Sequence, residues 1–167
     1  MFLLYHPEIA NNPDNTWIAT LRVVLLGVSF LFLVAFGAML IAGEENKRLR
    51  LFVELIVAVL WVVGLAWVFS AQPAWRDRMV AADVYTRYAL AIPGTALTVW
   101  GLLLQRRRFF ESGMGGFGND VALAALAFGM YGGIGQLFAS PSGVFPSEYL
   151  NADVFVRWFG IPVQVFR

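Results

Sequence analysis

Apolar and polar positions alternate along this chain in long blocks, with neither the period of two of a strand nor the single stripe of a surface helix. Leu21 to Ala42 and Leu51 to Ser70 are almost unbroken apolar runs, and Val84–Leu104 and Val121–Ala139 are two more. Each has the roughly 20 residues a helix needs to cross a hydrocarbon core. Continuous apolarity contradicts the alternation of a barrel strand, and hydrocarbon leaves helices as the default solution for backbone polar groups. The pattern predicts an all-α integral membrane module, residues 1–167, with four spans at about 21–42, 51–70, 84–104 and 121–139. A short interfacial helix and the start of a fifth span near residue 160 complete it.

Composition supports the block pattern: 59% of the 167 residues are hydrophobic, 14% are charged, and the mean hydropathy is +0.69. With no cysteine, a disulfide framework and thiolate metal ligation are excluded. Charge placement says more than the net charge of +1. Lys47, Arg48 and Arg50 fall in one connection, and Arg106, Arg107 and Arg108 in another two connections later. The opposite side carries Arg76, Arg78 and Arg157, with Arg22 and Arg87 at span ends. The positive-inside rule then places loops 43–50 and 105–120 in the cytoplasm and the N-terminus outside. Trp17, Trp67, Trp75 and Trp158 gather near the outer boundary, where indole rings sit best.

Candidate chemistry is sparse. Gly113, Gly115 and Gly118 spell a G-x-G-x-x-G, but no strand precedes them and no acidic residue follows at the ribose-binding distance. A flexible connector capped by Asn119 or Asp120 fits better. The single histidine, His6, cannot pair with another imidazole or a thiolate, so no metal, cofactor or catalytic residue is expected. Nor does the sequence offer a nucleic-acid surface.

The ionisable residues near span ends are the better lead. Asp83–Arg87 and Asp153–Arg157 both place an acid four residues before a base, the favourable helical order, on the same predicted face of the membrane. With Glu148 nearby, these five are the candidate ligand or stimulus residues, since rim charges facing inward often mark ligand or ion paths. Glu54, four residues after Arg50, reads as an interfacial anchor. Ala125, Gly129 and Gly133 form a small-xxx-small ladder suited to helix packing or to a homodimer, and Gln136 should seek a partner inside the bundle. Pro93–Gly94 predicts a kink in the third span and Pro162 a compliant point in the tail. Asn151 is a good N-cap for "ADVFVRWFG".

Two stretches, "RYALAIPGTALTVWGLLLQRRR" and "FPSEYLNADVFVRWFGIPVQVFR", resemble the N-terminal multi-span sensor region of bacterial sensor histidine kinases. Some diguanylate cyclases carry similar regions. The resemblance covers about Tyr85 to Arg167. It implies an input module of a two-component system, partnered by the bilayer and by cytoplasmic kinase domains of a longer parent chain. It also implies spans before Met1 and a helix continuing past Arg167. A phosphoacceptor segment, an ATP-binding domain and a cyclase signature are missing from these residues, so no catalysis is expected of them. The competing expectation, from another class, is a small transporter or channel subunit, for which Gln136, Thr95 and Thr98 would supply the intramembrane polarity.

Overall fold

The computed structural model describes residues 16–43 and 46–166, and among them it is helical with no strand. The predicted role-free histidine, His6, lies outside the described residues. Helix α1 (Thr16–Ala42) is followed by α2 (Lys47–Ala71). A long helix α3 then runs from Trp75 to Glu111, and α4 (Gly115–Gly129) returns beside it. The chain ends in a short helix α5 (Ala152–Phe159) and a 3-10 turn, Val163–Phe166.

Helices α1, α2 and α3 are long and apolar enough to cross a membrane. Beyond Glu54, helix α2 is apolar on all sides, yet protein covers almost none of its surface, with Leu55, Leu60 and Val63 each more than half exposed. An apolar surface of that kind suits a lipid surround and would be an aggregation hazard in water. The four-span expectation is therefore met for three. The α-helical part of α4 has 15 residues, short of a crossing by itself, and it continues as a π-helical turn, Met130–Gln136.

The third span is longer than its apolar run suggested. The polar stretch "WRDRMVAADVYT" is helical and joins the apolar run without a break. Its start is fastened by Arg78, which donates to the carbonyls of Gln72 (2.6 Å) and Pro73 (3.3 Å) in the tight turn after α2. Where a kink was expected at Pro93–Gly94, the helix instead widens into a π turn, Arg87–Ala91. Proline has no N–H, and its ring would collide with the carbonyl four residues back, here that of Ala89. The ladder skips a position, and Ile92 N–H reaches the Arg87 carbonyl.

Helices α1 and α3 run parallel and pack through glycine. A Cβ at Gly37 would lie 2.7 Å from both Leu97 Cβ and the Thr98 backbone nitrogen, and one at Gly94 would lie 3.0 Å from Val34. Gly101 accommodates Leu40 in the same way. Close backbone approach is how helices gain van der Waals contact where lipid supplies no hydrophobic drive. Thr98 Oγ1 donates to the Leu33 carbonyl and Gln105 Nε2 to the Leu40 carbonyl, both at 3.4 Å.

Between α3 and α4 the close approach is Gly132 against Thr95. The predicted ladder is corrected here. Ala125 is buried and Gly129 comes within 3.9 Å of Val99, but Gly133 faces outward, with nothing within 4 Å of its Cβ position. The extra residue of the π turn rotates the face that follows it, so Gly132 replaces Gly133 at the seam. The connector is also corrected: α4 begins at Gly115, so Asn119 and Asp120 lie inside the helix and cap nothing.

The end of the chain folds onto α4. Asn151 accepts from the N–H groups of Asp153 and Val154, both at 3.1 Å, as the N-cap predicted for α5. Gly160, at φ +70°, ends that helix. Phe138 and Phe155 stack edge to face at 4.8 Å and share a buried cluster with Val163. Pro162 leads directly into the 3-10 turn rather than into a regular helix.

Candidate functional site: a polar hub on one turn of α3

Within one stretch of α3, "DVYTRY" from Asp83 to Tyr88, every residue but Val84 bonds through its side chain, and together they reach α1, α2 and the extension of α4. Helical geometry explains the reach. Successive residues step about 100° around the axis, so six of them point in every direction. Asp83 lies 3.2 Å from Arg22 of α1. Tyr85 donates to the Leu60 carbonyl of α2 at 3.2 Å, and Thr86 accepts from Trp61 Nε1 at 3.0 Å. Arg87 donates through Nη1 to Gln136 Oε1 at 2.6 Å, and Tyr88 to the Leu137 carbonyl at 3.0 Å.

The centre of the hub is the Asp83–Arg87 pair. Arg87 Nε donates to Asp83 Oδ2 at 2.7 Å and Nη2 to Oδ1 at 3.4 Å, a fork-to-fork arrangement. Both residues are buried, as are Thr86 and Gln136. Charges removed from water cost several kcal/mol each unless geometry and further hydrogen bonds compensate. Compensation is complete at Asp83, which faces two guanidinium groups, and Arg87 spreads its donors over a carboxylate and an amide.

The hub also has a definite depth. Eighteen residues separate Arg22 from Leu40 and, on the parallel helix α3, Arg87 from Gln105. At 1.5 Å per residue this is about 27 Å. Since Gln105 precedes the Arg106–Arg108 cluster, hub and arginine end are about one hydrocarbon thickness apart. In a bilayer crossed by α1 and α3, ionisable groups at that level would avoid the cost of the midplane.

Of the residues singled out by sequence, Asp83, Arg87 and Gln136 converge here. Glu148, Asp153 and Arg157 do not. All three are exposed, and among the described residues none forms an ion pair, although Asp153 and Arg157 share the spacing of Asp83 and Arg87. The spacing fixes a common helix face, but burial decides whether a pair forms. The Arg50–Glu54 anchor is present at 3.5 Å. Arg22, Trp61 and Thr86 were missed; their only signal was a polar group within or beside an apolar run.

Chemically the hub is a fastening between helices, and among the described residues no three His, Cys, Asp or Glu side chains converge. Among the described residues, one buried side-chain polar atom has no partner: Thr95 Oγ1, against Gly132 and two helical turns from Arg87. No protein-family model matches this chain, and neither the curated proteins nor the solved structures yielded a match.

Proposed function

We propose that the chain is a membrane-embedded input module of a bacterial signal-transducing histidine kinase, with the hub as the point where a stimulus alters helix packing. One observation carries this: a single turn of α3 is bonded to every other long helix, so a disturbance of that turn reaches all of them. A stimulus shifts such an equilibrium only by its differential affinity for the two packings. The resemblance of residues 85–167 to sensor regions supplies the output class, with kinase domains of the parent chain as partners. In this proposal α4 completes a fourth span through its π turn, α5 lies at the outer interface, and a fifth span follows residue 160. The Trp75 end faces outward and the Arg106 end the cytoplasm of a bacterial inner membrane.

The test uses the native gene product containing residues 1–167. Arg87→Ala and Asp83→Asn should alter signalling output normalised to the amount of folded protein in the membrane. Unchanged output in both would overturn the proposal. The alternative, a small transporter or channel subunit, draws on the buried, unpartnered Thr95 hydroxyl beside the α3–α4 seam. It predicts solute or ion flux in proteoliposomes of the purified chain, lost in Thr95→Val.

A further inference from the structure

The two π turns among the described residues meet at the hub. Arg87 is the first residue of the turn Arg87–Ala91 in α3, and Gln136 is the last residue of the turn Met130–Gln136 that extends α4. Their side chains form the 2.6 Å bond across the interface. A π turn is an α-helix holding one surplus residue, and such turns are rare and concentrated at functional positions. Absorbing the surplus into regular α-helix turns everything beyond it by one residue, about 100°. In α3 the part beyond is Trp75–Thr86, which carries Asp83, Tyr85 and Thr86 and packs Met79 and Ala82 on Val23 of α1.

We infer that the two turns form one two-state register element, held in its π state by the Arg87–Gln136 bond and by Pro93. The alternative state has the first part of α3 rotated on α1 by one residue. Pro93 biases the element because a regular helix would press its ring onto the Ala89 carbonyl. Gln136 biases it by fixing the guanidinium of the first π residue. In the rotated state the position now taken by Met79 against Val23 passes to Val80, and Asp83 leaves Arg22. The second part of α3 stays in place, fastened by the Gly37, Gly94 and Gly101 contacts. The inference deepens the proposed coupling role of the hub, yet it concerns geometry alone and stands or falls independently of any signalling output.

The chain has no native cysteine, so paired cysteines report packing without background. In the full chain reconstituted in liposomes, Val23→Cys is combined with Met79→Cys or with Val80→Cys, and Leu40→Cys with Gln105→Cys serves as the reference for the second part of α3. The unaltered hub should link through position 79. Gln136→Leu and Pro93→Ala should each move linking from 79 to 80 while the reference pair persists, and Gln136→Glu should leave it at 79. Linking that stays at 79 in both of the first two variants overturns the inference. So does loss of both outer links with the reference pair intact. Should those variants lose the reference pair as well, deletion of Ala89 combined with Pro93→Ala decides the matter. Removing the surplus residue should give regular helix with linking still at 79, and a shifted or lost link there overturns the inference.

Discussion

The two parts of α3 hold their neighbours by different physics. From Ile92 to Glu111 the helix lies against α1 through glycines, with backbone almost touching backbone at Gly37 and Thr98. From Asp83 to Tyr88 the helices are held by polar side chains, with a buried ion pair at the centre. The glycine seam has only one good packing, since any side chain added there meets backbone. The hub has exchangeable partners, because a carboxylate between two guanidinium groups can keep one while releasing the other. A bundle fixed at one end and exchangeable at the other can change packing at one end without coming apart.

Substitution should separate the two most sharply at the seam. Gly37→Leu places a branched side chain into the Leu97–Thr98 backbone, which cannot withdraw, and should cost about 3 kcal/mol or more. Thermal unfolding in lipid micelles would register this as loss of the folded bundle. At the hub, Arg87→Ala leaves Asp83 with Arg22 alone and should cost about 3 kcal/mol, the range for breaking a buried pair. The distinguishing feature is rescue: Asp83→Ala added to Arg87→Ala should recover part of that loss, whereas no second-site change on α3 recovers Gly37→Leu.

Weaker effects sharpen the same contrast. Helix α2 is fastened to the rest largely through Trp61 and Tyr85, so Trp61→Phe should cost about 0.6 kcal/mol, typical of an interhelical hydrogen bond in a membrane. Accessibility labelling should show α2 loosened while the α1–α3 seam is unaffected. Gly133→Ala should change monomer stability by less than about 0.5 kcal/mol, since open space surrounds it. A larger loss, seen together with a fall in oligomer mass, would show that this face serves an interface between copies.

Much of this architecture was legible in the sequence because it follows from local rules. Long apolar runs gave the helices, Asn151 gave its cap, and the i,i+4 spacing with a lone Gln136 pointed to the hub. What was not legible depends on which helices meet. Arg22 looked like a span-end charge until α1 was placed beside α3, running in the same direction, and no spacing rule links Thr86 to Trp61, 25 residues away. The small-residue rule found Ala125–Gly133 on one helix but missed Gly37, Gly94 and Gly101, which form a seam only as a pair of helices. Pro93 announced a disturbance, yet whether a helix bends or takes up a surplus residue is decided by the partners waiting for Arg87. Asp153–Arg157 marks the limit of spacing alone, since the same pattern in an exposed helix forms no pair.

The central claim is that the hub joins separate helices energetically, and the Arg87–Gln136 contact between α3 and α4 tests it most directly. A double-mutant cycle with Arg87→Met and Gln136→Leu, followed by reversible unfolding in bicelles, gives their coupling. A 2.6 Å bond from a buried guanidinium predicts a coupling of about 1 to 2 kcal/mol. Two losses that simply add, with no coupling beyond error, would contradict the account.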